Sequence, residues 1–457
     1  MSVSLNNPIS SSSPEFAELS PAIQGNILSS HGRNHAAHLF LRFNDAPGAR
    51  AVIRNTIAPR ITSAAQQKID SAAAKASSRR RFRHFLGFAL SNEGYAFLGI
   101  PANETPTDNL FRTGAKAHVP QLQDPDVAAW EGGFQTDWHA VVIAANESES
   151  YLSRRVDFLL SQMDSVLESS HVELGMGITN DEGHHIEHFG YVDGISQPLL
   201  LTDSVDNDEI TTNNWDPRAP LSLALVDDPG GSGDNAFGSY FVFRKLEQNV
   251  AGFKAMEADL ANRLGVTADQ AGAQVVGRFR SGNPLIPVTP PQPQSSGKMN
   301  DFDYETDTPR GSKCPFHAHI RKTNPRGSGG AEPLDQEREH LFPRRGITYG
   351  GDSTQLEQPP AGGVGLLFMA YNSNIGSQFA FMQSAWANNN NFPFNKPNGP
   401  HGIDPVIGQG VNPDDQNYFG AWGDDATEQR EPSFDGFVTM KGGEYFFAPS
   451  ISFLESL

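Results

Sequence analysis

Residues 187–200 read EHFGYVDGISQPLL, and the first question they raise is why an acid, Asp193, stands among apolar neighbours. Val192 and Gly194 flank it, and Phe189, Ile195 and Leu199 lie close in sequence. An aspartate before glycine is an ordinary turn residue, because its short side chain bonds the local backbone and glycine tolerates positive φ. A carboxylate in apolar company can also be a group that takes and gives protons. The remainder of the chain decides between the two.

The chain has 457 residues, enough for two domains of about 150 to 250 each. With 37% hydrophobic and 19% charged residues it is globular, and 44 Gly with 32 Pro imply many turns and long loops. A net charge of −19 repels phosphate backbones and anionic lipid, so neither nucleic acid nor a membrane surface is an expected partner. The basic run Arg79-Arg80-Arg81-Phe82-Arg83-His84 reads as a solvated face. Cys314 is the only cysteine, which excludes an internal disulfide and a thiolate metal cluster. The N-terminus lacks a basic region followed by an apolar one, and no run of about 18 apolar residues occurs. The cytoplasm is therefore the simplest compartment, and residues 1–18 read as a disordered lead-in.

Strand signals occur at His38–Phe43, Phe85–Leu90 and Ala140–Ala145, with helix patterns over 51–76, from Ser91 as N-cap, and over 151–167. A polar, Asp- and Asn-rich stretch over 202–218 marks a boundary between a domain at 19–210 and one at 211–457. After it the order partly recurs. Strands are expected at Ser239–Leu246 and Gly365–Tyr371, and helices at 252–264, after the capping box Thr267–Gln270, and near 376–387. Two passes of strand and helix predict an α+β fold of two similar halves, each an antiparallel sheet with helices packed on it. The proline-rich segment 283–312 is a long loop.

That loop leads into KCPFHAHIRKTNPR, residues 313–326. His317 and His319 on a strand would face opposite ways, which suits one axial imidazole on a haem iron better than a zinc chelate. Taken alone, each histidine is more often a packed or surface residue than a ligand. FPRRGITYG, residues 342–350, adds Arg344 and Arg345, and adjacent arginines are by themselves most often surface cations.

Taken together, these stretches resemble the dye-decolorizing (DyP-type) haem peroxidases, particularly the longer members of that family. Gly190-Tyr191-Val192-Asp193-Gly194 is similar to the family's G-x-x-D-G motif, and the likeness continues through Ile195-Ser196-Gln197-Pro198. CPFHAHIRKTNPR resembles the proximal segment, with His319 as the axial ligand of the haem iron, although the family usually has alanine where His317 stands. Arg344 matches the distal arginine, Asp404 in GIDPVIGQ the acid that bonds the proximal histidine, and Leu366 and Phe368 in GLLFMAY apolar residues of the distal pocket. IQGNIL at 23–28, LSNEGYAFLGIP at 90–101 and GGEYFFAPS at 442–450 extend the likeness over about 20–457.

The resemblance implies two ferredoxin-like halves, with one haem b per chain in the C-terminal half. It implies a peroxidase in which Asp193 and Arg344 act on hydrogen peroxide, and an aromatic or dye reductant is oxidised through the haem. Asp193 carries the proton, Arg344 stabilises charge on the departing oxygen, and Asp404 makes His319 more basic. Ile195 and Ser196 border the haem in this reading, Arg278 and Arg321 pair with its propionates, and Tyr349 or Trp386 relays electrons to the surface. The alternatives are a haem oxidoreductase acting on chlorite or porphyrin, a haem-storage module, and a haem-free α+β binding protein. The sequence carries no signal for an oligomeric state.

Overall fold

The structure, a computed structural model, describes residues 2–76, 83–207, 214–286, 299–411 and 414–457. Arg79–Phe82 of the basic run and the prolines at 287, 290, 291 and 293 lie outside the described residues. Four strands of the first half run Leu167–Met176, His35–Phe43, Ala140–Asn146 and Phe85–Leu90 across the sheet, all neighbours antiparallel. In chain order that is fourth, first, third, second, the strand order of a ferredoxin-like βαββαβ unit.

The second half repeats it with Val438–Ala448, Phe237–Gln248, Gly365–Asn372 and Ile347–Tyr349. The halves join where Phe447 pairs with Leu90. At the opposite ends Thr348 Oγ1 donates to Met176 O, and a Cβ on Gly175 would strike the Ile347 side chain. The two outermost strands therefore meet, and the sheet curls towards a barrel that leaves little free edge.

Side-chain alternation sorts the core. Phe40 points to one face, where its ring centroid is 4.8 Å from Phe243 and 5.2 Å from Phe134, both edge-on. Leu39, Leu41 and Phe43 point to the other, against Leu152, Leu159 and Met163 of the helix Glu149–Met163. The helices Val250–Leu264 and Ala268–Val276 pack with the Phe40 cluster, and Val276 borders the cavity described below. Ser91 caps Asn92–Phe97 by accepting from Gly94 N, and the Thr267–Gln270 capping box is complete.

Two expectations are corrected. The helix over 51–76 is broken into Ala46–Val52, a wide turn Ile53–Ile57, the short turn Ala58–Arg60 and Ala64–Ala76. Pro59 explains the break, since it lacks the N–H that a continuous helix needs. The lead-in is packed over residues 2–18. Val3 N donates to Asn235 Oδ1 at 2.8 Å, Ile9 pairs with Leu201, and Ser13 caps Pro14–Leu19 with Phe16 and Leu19 buried. Its few apolar residues are spaced to reach the core, and a polar average conceals that.

Candidate active site

A cavity of about 570 Å³ lies where the segment between the two halves meets the C-terminal half, within the range of small-molecule and cofactor pockets. Asp193, Ile195, Ser196, Arg278, His319, Arg344, Leu366 and Phe368 all border it. They reach it from five separate segments of chain, so only folding brings them together.

His319 opens the short helix His319–Thr323, and Ala318 N closes a turn back to Pro315 O at 3.0 Å. The expected strand is thus a turn followed by a helix, because Pro315 bends the chain before the histidines. His319 Nδ1 donates to Asp404 Oδ2 at 2.8 Å, which leaves the Nε2 lone pair available to a ligand. Asp404 is itself fixed: Oδ1 accepts from Val406 N and Ile407 N at 2.8 and 3.0 Å, and its own N–H bonds Ala387 O. His317 does not border the cavity. It is buried edge-on against Tyr418, with burial holding its pKa well below the usual imidazole range.

Asp193 is both a turn residue and a cavity residue. Its Oδ1 accepts from Gly194 N at 2.7 Å and its N–H donates to His185 O at 3.0 Å. Gly190 and Gly194 have φ of +90° and +80°, a region that L side chains rarely adopt, and this is what the two glycines supply. Half-buried Glu187, an acid that sequence reading passed over, ties the loop by accepting from Phe189 N, Tyr191 N and Gln248 Nε2 at 2.7, 2.9 and 2.6 Å. Arg344 is seated by Gln197 Oε1, which accepts its N–H at 2.9 Å, and by Ile195 O, which accepts from Nη2 at 3.0 Å. Burial lowers the guanidinium pKa and the charge of Asp193 pulls it back up, so the two side chains act on each other through the cavity.

A third group forms around Ser196. Its hydroxyl donates to Asn300 Oδ1 at 2.7 Å and accepts from Arg278 Nη2 and Arg326 Nη2 at 3.0 and 3.1 Å. Arg326, also on the cavity, otherwise bonds the carbonyls of Asn300 and Phe302 and the Asn300 side chain, and burial pushes its pKa down to about 9. Two buried guanidiniums sharing one hydroxyl favour an anion beside them. Arg326 ends the same KCPFHAHIRKTNPR run that holds the histidines, but its place on the cavity has no local signal.

Arg321 does not join this group. It is turned away from the cavity, donating to Asp307 and to Cys314 O between the rings of Tyr304 and Phe316. Tyr349 and Trp386 border no part of the cavity, and neither is at the surface: they are 8% and 3% exposed, Trp386 stacked on Phe392 at 5.3 Å. An imidazole with an oriented Nε2, apolar walls and a pair of buried cations fit a haem with two carboxylates.

Lys322, fully buried on the helix His319–Thr323, donates to Asn389 O at 2.6 Å, and burial pushes its pKa down to about 7 against the pull of Asp404. Between pH 7 and 10.5 the unfolded chain then holds more protons at this position than the folded one. Its contribution to stability therefore rises with pH across that window, by at most about 1.4 kcal/mol per pH unit. Lys322→Met should remove this slope and be the more stable protein at pH 7, measured as urea midpoints at pH 7 to 10. An unchanged slope would mean that Lys322 keeps its charge when buried.

A family model for the DyP dimeric alpha+beta barrel domain matches residues 22–175, which span the four strands of the first half. The multifunctional dye peroxidase DyP2 of Amycolatopsis sp. is 45% identical over 475 aligned positions, covering 100% of both chains. The dye-decolorizing peroxidase AauDyP1 of Auricularia auricula-judae is 30% identical over 94% of this chain and 85% of its own. Among solved structures, DyP2 from Amycolatopsis superposes with a TM-score of 0.93 at 44% identity and 100% coverage of each chain. A DyP-type peroxidase of Anabaena sp. gives 0.91 at 38% identity, covering 99% of this chain and 98% of its own. The chain belongs to the dye-decolorizing (DyP-type) peroxidase family.

Proposed function

We propose that the chain is a haem peroxidase in which Asp193 and Arg344 act on hydrogen peroxide, His319 holds haem b, and bulky dyes or phenolic compounds are the reductants. What supports this reading is the convergence of Asp193, Arg344 and the His319–Asp404 pair on one cavity. Bound haem supplies the iron at which the peroxide O–O bond is cleaved and the oxidising equivalents are held.

Asp193 accepts the proton of the inner peroxide oxygen and returns it to the outer one, which leaves as water. The Arg344 guanidinium stabilises the negative charge that develops on that oxygen, and its bond to Ile195 O, with Gln197 Oε1 holding the Arg344 N–H, keeps it from following the charge. Asp404 keeps the proton on His319 Nδ1, so Nε2 presents its lone pair and the ring is the better donor. Ile195, Leu366 and Phe368 exclude water, which strengthens both electrostatic interactions. Arg278 and Arg326 would hold the haem carboxylates.

The test is the absorption spectrum of the haem-loaded protein before and after one equivalent of hydrogen peroxide, followed by bleaching of an anthraquinone dye. A Soret band that changes on peroxide addition, with dye turnover, is the expected result. A Soret band indifferent to peroxide would mean a haem carrier, turnover of chlorite with little of peroxide a different oxidoreductase, and no Soret band a haem-free protein.

A further inference from the structure

A reductant too large for the cavity must deliver its electrons through a side chain, and the two relays expected from sequence are poorly built for that. The hydroxyl of Tyr349 is buried with no hydrogen-bond partner, and the Lys245 ammonium lies 4.8 Å from its ring centroid. A phenol gives up an electron readily only when its proton has an acceptor, and a cation against the ring opposes oxidation further. Trp386 is packed between Phe392 and Phe381 and does not border the cavity.

Tyr191, two residues before Asp193, is built differently. It borders the cavity, is 4% exposed, and donates its phenolic proton to Glu257 Oε1 at 2.6 Å. Glu257 is buried on the helix Val250–Leu264, with its other oxygen paired to Arg280 and to Lys254 at 3.4 Å. Those two cations are themselves 36% and 29% exposed, so the pair reaches from the cavity to the protein surface. The neighbouring helix makes room for it. A Cβ on Gly272 would come within 2.0 Å of both Glu257 Oε1 and the Tyr191 hydroxyl oxygen, although glycine inside a helix costs about 1 kcal/mol relative to alanine.

We propose that Tyr191 is the redox relay of this peroxidase and that Glu257 is its proton acceptor. One electron passes from the phenol to the peroxide-oxidised haem, while the phenolic proton crosses to Glu257, leaving a neutral tyrosyl radical and a protonated carboxyl. A phenol or dye at the surface flanked by Lys254 and Arg280 then gives one electron back to Tyr191, Glu257 returns the proton, and the reductant leaves oxidised by one electron. Burial and the nearby carboxylate both push the Tyr191 pKa well above the usual phenol range, so the proton can leave only together with the electron.

The inference rests on the haem peroxidase reading, and freeze-quench electron paramagnetic resonance separates the two. Haem-loaded wild type mixed with one equivalent of peroxide should give a tyrosyl signal as the Soret band changes. Tyr191→Phe should lose that signal. Glu257→Gln keeps a side chain that accepts the hydrogen bond but cannot take the proton, and it should lower the rate of radical formation on the order of 10²-fold. A tyrosyl signal in Tyr191→Phe equal to wild type, or a wild type whose Soret band responds to peroxide without any tyrosyl signal, would overturn the relay. An unchanged rate in Glu257→Gln would overturn Glu257 as the acceptor. A wild type whose Soret band ignores peroxide would overturn the peroxidase reading instead.

Discussion

His319→Ala protein should purify with little or no haem, and any that remains should support no peroxidase activity. Three other histidines, His31, His185 and His340, border the cavity, and the rings of His31 and His340 are already engaged. Both ring nitrogens of His340 are engaged, Nε2 with Glu332 and Nδ1 with Ser377 O. His31 accepts from Arg33 N through Nδ1, and burial beside two arginines pushes its pKa down to about 3. His319 alone combines a place on the cavity, a carboxylate on Nδ1 and a free-facing Nε2. Its orientation comes from Asp404, so Asp404→Ala should keep the ligand but weaken haem binding or activity about 10- to 100-fold. His317→Ala should retain haem, because His317 Nε2 is buried without a partner and the ring lies off the cavity. Haem content by the pyridine haemochrome method and the Soret spectrum check all three variants. Full occupancy with a normal spectrum in His319→Ala, or haem loss in His317→Ala alone, would move the ligand to the other histidine.

Asp193→Asn and Arg344→Leu should each slow the reaction of the haem-loaded protein with peroxide by about 10² to 10⁴-fold. The two losses differ in kind. Asparagine keeps the size of Asp193 and a side-chain oxygen for the Gly194 N–H bond, so the loop persists while the proton carrier is gone. Leucine at 344 removes the charge and also the bond to Ile195 O, so it perturbs the wall that carries Ile195 and Ser196. Arg344→Leu is expected to be at least as damaging for that reason. Because burial lowers the Arg344 pKa and Asp193 raises it, the two side chains are coupled, and the double variant should lose less than the product of the single losses. Stopped-flow rates against peroxide concentration measure this directly. Wild-type rates in both single variants would remove both residues from the chemistry, and strictly multiplicative losses would mean that they act independently.

The strands and the helix caps were legible from sequence because each depends on neighbours in the chain, whereas the candidate reacting groups were singled out only by the family resemblance. An alternating apolar run needs only its own periodicity to declare a strand, and Ser91 or Thr267 caps a helix with a partner three residues away. Gly190, Asp193 and Gly194 likewise form a turn whose glycines answer to local φ. What the tertiary structure decided are the contacts made across the chain. Arg321 and Arg326 are equivalent in composition and stand in one short run, but Arg321 lies two residues beyond His319 on the same helix, about 200° around it, and so faces away from the cavity. Arg326 lies past the helix end at φ 52° and turns back to Ser196. Tyr191 and Tyr349 are both tyrosines of motif segments, and only the fold gives one a carboxylate and the other none. Charge and hydrogen-bond partners act at a few ångströms, and which groups come that close is settled by packing between segments that the sequence keeps far apart.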